Sequence, residues 1–136
     1  MNVIEYKDVE IRRAEKIVLQ NVSLSIGEGE FCYLVGRVGS GKSSLLKSMY
    51  ADVPICSGEK AEVLGYDMLD LKRKQIPYLR RKIGIVFQDF QLLQDRSVFD
   101  NLSFVLKATG WKDKTEMQQR IEDVLIDVGM QNKSYK

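Results

Sequence analysis

Histidine is absent from all 136 residues. That removes imidazole within this stretch as a general base, a proton shuttle or a metal ligand. Cysteine is scarce: Cys32 and Cys56 lie far apart and show no metal-ligand spacing. Cys32 falls in an apolar run and is expected to be a buried small apolar residue. Cys56 falls in the loop Pro54-Ile55-Cys56-Ser57-Gly58, and a disulfide between the two is not expected. Long apolar runs are missing as well. None approaches the roughly 20 residues that cross a bilayer, and Met1 to Asp8 carries charges where a signal peptide needs an apolar core. Neither sign of charge dominates. Twenty-one Lys and Arg against 19 Asp and Glu leave +2, too little to argue for nucleic-acid or membrane binding. There is no internal repeat and no low-complexity segment. What remains is ordinary for one soluble domain with a real core, with 44% hydrophobic and 29% charged residues.

Against that background one segment is specific. Gly36-Arg37-Val38-Gly39-Ser40-Gly41-Lys42-Ser43 has the spacing G-x-x-x-x-G-K-[ST] of a phosphate-binding loop. Glycines allow the backbone to close into a concave ring whose N–H groups converge on one anion. Lys42 is placed to reach the β- and γ-phosphates of a nucleotide, and the Ser43 hydroxyl to ligate the Mg²⁺ between them. Ser44 is placed to reach the α-phosphate. The context agrees: Glu30 to Val35 reads as a buried strand running into the loop, and Lys42 to Tyr50 as a helix whose positive dipole end opens on it.

The rest of the chain reads as mixed α/β. Val3 to Ile11 and Ile17 to Ile26 read as strands, the second alternating Val22, Leu24 and Ile26 with Ser23 and Ser25. Lys60 to Leu64 is a short strand. Lys72 to Lys82 is basic and helix-prone, interrupted by Pro77. Ile83 to Phe87 has the apolar character of a buried parallel strand. Ser97 with Asp100, and Asp113 with Glu116, mark two helix N-termini. In the second helix Met117, Ile121, Val124, Leu125 and Val128 form one apolar stripe, closed by Gly129. Val124-Leu125-Ile126-Asp127 imitates an apolar strand ending in an acidic metal partner, but the stripe explains it better. The expected division is a β and core part over residues 1–96 and the start of a helical part over 97–136.

With these residues in hand, the chain resembles the ATP-binding subunits of ABC-type systems along nearly its whole length. Lys7-Asp8-Val9 and Leu19 to Ile26 resemble that family's opening antiparallel strands. Ile85-Val86-Phe87-Gln88-Asp89 looks like the strand ending in its Q-loop, where the glutamine touches both the metal and the attacking water. Ile76 to Gly84 and Phe90 to Asn101, with the pair Asp95-Arg96, are similar to the members of the family that act in cell division. The resemblance implies an α/β P-loop NTPase that binds ATP and Mg²⁺. Gly36, Arg37, Val38, Gly39, Ser40, Gly41, Lys42, Ser43 and Ser44 would hold the nucleotide; Ser43 and Gln88 would ligate the metal; and Lys42 and Gln88 would act in hydrolysis. It further implies an integral membrane subunit and a second ATP-binding subunit as partners, no nucleic acid, and a cytoplasmic location at the inner face of the membrane.

Two departures qualify this. The family's base-stacking aromatic is replaced near the end of the first strand by Arg12 and Arg13; Arg13 is the candidate contact, since a guanidinium stacks on a base, while Tyr6 comes too early. Second, there is no Gly-Gly pair, no apolar run ending in Asp-Glu and no histidine. The signature, the catalytic glutamate and the switch histidine are therefore missing, and the expectation is a domain truncated before its signature. Four readings follow: a cell-division ATPase subunit, the subunit of a lipoprotein-release or macrolide exporter, a non-catalytic nucleotide-binding fragment, and a small-molecule P-loop kinase. The kinase needs a lid with arginines, and Arg120 is the only arginine after Val98.

Overall fold

A computed structural model describes residues 1–136. Two compact units divide the chain, Met1–Gly84 and Ile85–Lys136. No helix is long and apolar enough to cross a membrane.

The first unit is built on a long hairpin. β1 (Asn2–Arg13) pairs antiparallel with β2 (Lys16–Gly27). On its other edge β1 pairs first with β4 (Lys60–Val63), then with the short β3 (Ile55–Ser57), and β5 (Tyr66–Asp67) completes the sheet. β1 shifts register where Asp8 takes a positive φ of 51°. Opposite that bulge a Cβ on Gly58 would stand 3.1 Å from Val9 Cγ2 and 3.2 Å from its Cα, so a side chain here would press tightly on β1. Glu5 and Glu62 face each other across the ladder, and Lys60 Nζ sits 3.1 Å from one carboxylate and 3.9 Å from the other. The Lys60 hydrogen bond holds the Glu5 carboxyl below its usual range, and Glu5 in turn raises the ammonium.

One face of this sheet carries α1 (Lys42–Met49). Tyr6, Val9 and Ile11 of β1 are buried with Leu45 of α1, Val53, Ala61, Val63, Met68 and Leu79. Each of the Val, Leu, Ile and Met side chains contributes about 1.5–3 kcal/mol when fully buried. The polar Tyr6 hydroxyl is satisfied inside this core by Ser48 Oγ at 2.9 Å, and Ser48 Oγ donates to Leu45 O at 2.6 Å. A 3-10 turn (Arg73–Gln75) leads into α2 (Ile76–Arg81). Pro77 does not interrupt it: it stands in the first turn, where its missing N–H has no intrahelical partner to lose.

The second unit holds α3 (Val98–Ala108) and α4 (Lys114–Asp127). Both N-caps form as the sequence suggests, Ser97 Oγ accepting from Asp100 N at 3.1 Å and Asp113 Oδ1 from Thr115 N and Glu116 N. Met117, Ile121 and Leu125 are the buried stripe of α4. Val124 is half-buried and Val128, at the helix C-cap, is exposed. Val124–Asp127 is helical, which removes the strand that its apolar-then-acidic pattern imitated.

Three expectations are corrected. Residues 30–35 and 83–87, read as buried strands, join no ladder. Val35 is 84% exposed and Val86 92%. Their composition suits burial, but a parallel strand needs ladder partners and helices on both faces, and every strand that forms here belongs to the antiparallel hairpin sheet. Cys32 lies in the first of these segments and is exposed with it, as is Cys56; both thiols are free.

Candidate nucleotide-binding site

The glycine loop closes on itself through short-range contacts. Ser40 N donates to Arg37 O at 3.1 Å, and Leu45 N to Gly41 O at 3.0 Å as α1 begins. Gly39 and Gly41 have φ of 80° and 99°, the left-handed region that side chains avoid. A Cβ on Gly36 would meet Ser40 Oγ at 2.8 Å, and one on Gly41 would press on Leu19 and Val18 of β2 at 3.0–3.1 Å. The hairpin thus forms one wall behind the loop.

Lys42 folds back over this ring. Its Nζ donates to the carbonyls of Gly36 and of Arg37, the latter at 2.8 Å. The ammonium is therefore held over the loop by two weak acceptors that an anion can displace. Gly41 is the N-cap of α1 and gives it no side-chain cap, and the first turn carries no acidic residue. Those first-turn N–H groups and the positive end of the helix are left for an external acceptor. Ser43 is exposed at the first turn, Ser44 is buried, and Arg37 and Val38 are exposed on the outer rim. The glycine positions, the free helix end and the exposed Ser43 hydroxyl fit a Mg²⁺–nucleotide.

Arg13 stands at the tip of the hairpin, opposite Lys16, and is exposed. Tyr6 is buried in the core, 2% exposed, and unavailable to a base. Gln88 belongs to the second unit. It is exposed in a turn that Phe90 N closes on Phe87 O at 3.2 Å. Beyond it Phe90 and Gln91 both take positive φ, 62° and 50°, a local strain of the kind held in functional loops. The structure therefore places Lys42 and Ser43 at the start of α1 directly after the glycine loop, buries Ser44, and places Gln88 in a different unit from Lys42.

Asn101 was not legible as a site residue. Its side chain accepts from Leu93 N at 2.8 Å and donates to Leu93 O and Ser97 O at 3.0 and 2.9 Å, clamping the segment after Gln88 onto α3. No capping pattern predicts an asparagine four residues after the cap, and beside Asp100 nothing in the sequence sets it apart.

The glycine loop and the helix opening on it are those of a P-loop NTPase. The chain belongs to the ABC transporter family, whose model matches residues 19–136. It is 36% identical over 135 residues to the cell division ATP-binding protein FtsE of Streptococcus pneumoniae, covering 98% of this chain and 57% of that protein. It is 35% identical over 131 residues to the methionine import ATP-binding protein MetN of Helicobacter pylori, covering 92% of this chain and 39% of that one. Its fold superposes with a TM-score of 0.83 and 26% identity on cbiO1 of Clostridium perfringens, part of the ABC transporter complex cbiONQ, over 99% of this chain and 53% of that one. The chain spans between 39% and 57% of the length of these relatives.

Proposed function

We propose that this chain is the nucleotide-binding part of an ABC-type ATPase subunit that, with a membrane subunit and a second ATP-binding subunit, couples ATP binding and hydrolysis to cell division. The observation that carries the reading is the uncapped α1 N-terminus with the Lys42 ammonium folded over it. Similarity to cell-division relatives supports the process; similarity to MetN keeps an import or export role, including the lipoprotein-release and macrolide types, as the second reading.

In this reading the backbone N–H groups from Gly39 to Ser43 hold the β-phosphate. Lys42 exchanges its two carbonyl acceptors for phosphate oxygens and neutralises their charge. Ser43 ligates Mg²⁺, which supplies charge compensation on the transferred phosphoryl group when bound. Gln88 orients the attacking water, and Arg13 stacks on the base.

Lys42→Ala is expected to weaken ATP binding most among single changes. Charge-assisted hydrogen bonds of about 1.5–3 kcal/mol are lost, roughly one to two decades of affinity. Calorimetric titration of both proteins checks it, and equal affinities would remove the phosphate-loop reading. Hydrolysis by these 136 residues is expected to be very slow. Lys42, Ser43 and Gln88 are present, but no histidine and no Asp-Glu pair after an apolar run is available, and groups that act in the transition state affect kcat more than binding. Phosphate release at saturating ATP measures it. A turnover in the ordinary enzymatic range, on the order of 1 per second or faster, contradicts it.

A further inference from the structure

We propose that the outer face of the helical stretch Arg73–Arg81 docks on an anionic lipid surface. Residues 71–88 contain six Lys and Arg and no Asp or Glu. Burial sorts the helical part of this stretch into two faces. Gln75, Ile76 and Leu79 turn inward, while Arg73, Lys74, Pro77, Tyr78, Arg80 and Arg81 turn outward. Lys74, Tyr78 and Arg81 stand at i, i+4 and i+7, one line along the helix surface. The outward face is thus four cations around an aromatic ring and a proline.

None of these cations is spent on a carboxylate. The ion pairs of the molecule are Lys7–Glu59, Arg12–Glu10 and those of Lys60 with Glu5 and Glu62. Two of the arginines are instead held in place by neutral groups. Arg80 Nε donates to Tyr50 O at 2.9 Å, and the Arg81 guanidinium lies 5.1 Å from the Tyr78 ring centroid. Just past the helix Lys82 lies 5.2 Å over Tyr66. Neutral partners fix where the charges point without cancelling them, so the face keeps its full attraction for anions.

Outside this stretch acidic residues outnumber basic ones. That asymmetry marks this stretch as the densest run of uncompensated positive charge in the sequence. Lipid rather than an acidic protein is favoured by Tyr78. It is 59% exposed in the middle of the cations, and an amphipathic ring beside Arg and Lys is the composition of an interfacial helix face. The proposal goes beyond the nucleotide reading and does not depend on it.

The test is sedimentation of the full chain with vesicles of phosphatidylcholine, alone and mixed with phosphatidylglycerol. Binding is expected only to the mixed vesicles and should fall with added salt. Each cation lost near such a surface weakens binding roughly fivefold. The triple change Arg73→Glu, Lys74→Glu, Arg81→Glu should therefore lower it about a hundredfold or more. Lys107→Glu, Lys112→Glu, Lys133→Glu alters the net charge equally but elsewhere, and should lower it far less. Tyr78→Ser should weaken vesicle binding while leaving binding to poly-glutamate unchanged, and circular dichroism checks that each variant is folded. Lys42→Ala should bind vesicles as the parent does, whatever becomes of its nucleotide affinity. Equal loss from the two triple variants, equal binding to phosphatidylcholine alone, or a preference for poly-glutamate over the mixed vesicles would overturn the proposal, the last in favour of an acidic protein partner.

Discussion

At the scale of single residues, Tyr6 ties the core to pH. Burial pushes its phenol above the ordinary value of 10.0, against a smaller opposing effect of the Ser48 hydrogen bond. A group whose pKa rises on folding contributes stability that is complete below its unfolded pKa. That contribution is lost as pH climbs toward the folded value. The urea midpoint should therefore hold steady from neutrality to about pH 10 and drop beyond it. Tyr6→Phe should be less stable at neutral pH by about 0.5–1.5 kcal/mol for the lost hydrogen bond, yet show a shallower alkaline decline. Parallel slopes in the two proteins would assign the decline to other groups. The glycine loop was the most legible residue-level feature, because its pattern fixes a glycine at Gly41, where φ is positive. Tyr6 and Ser48 were not legible as a pair, since their contact spans 42 residues and follows no local pattern.

Among the elements, the helix starts were legible from local contacts, while of the strands that need distant partners only some were: Lys60 to Leu64 forms β4 against β1, and two other apolar runs form none. Ser97 and Asp113 cap α3 and α4 through N–H groups within three residues, so the sequence alone marks where both helices start. Residues 30–35 and 83–87 carry the apolar signature of strands but form none, because a strand exists only with a partner at its edge. Asn101 shows the same logic from the other side. It gives the loop after Gln88 a fixed end that no periodicity announces. Asn101→Ala leaves the Leu93 N–H and the Leu93 and Ser97 carbonyls without this partner, and should cost about 1–3 kcal/mol of local stability. Hydrogen exchange at the Leu93 amide should quicken at least tenfold. Asn101→Asp keeps an acceptor for that N–H but loses the donors, so its Leu93 amide should stay nearly as protected as in the parent. If both variants exchange alike, the amide is held by something other than Asn101.

For the whole molecule, the balance of exposed apolar surface matters more than any single contact. The first unit carries Phe31, Tyr33, Val35 and Val38 in one continuous exposed segment; the second carries Val86, Phe90 and Leu92, with Ile126 on α4 and Val128 at its C-cap. In the first segment, Phe31 and Tyr33 meet edge to face with centroids 5.0 Å apart, a contact that shelters little of either ring. Scattered exposed apolar residues are ordinary, but contiguous ones at this density form a surface that water does not favour. The chain should therefore enhance the fluorescence of an apolar-surface dye such as anilinonaphthalene sulfonate in its native state, with a cooperative urea transition that removes the signal. Phe31→Ser with Val35→Ser should cut the native-state signal substantially. It should leave the unfolding midpoint within about 0.5 kcal/mol of the parent, because these side chains bury little to begin with. The same double change made at buried positions of β1, Val9→Ser with Ile11→Ser, should instead collapse stability by several kcal/mol, through lost transfer energy and cavity formation. A native signal unaltered by the first pair, or a midpoint lowered as much as by the second, would mean that residues 31–35 are packed in solution rather than exposed.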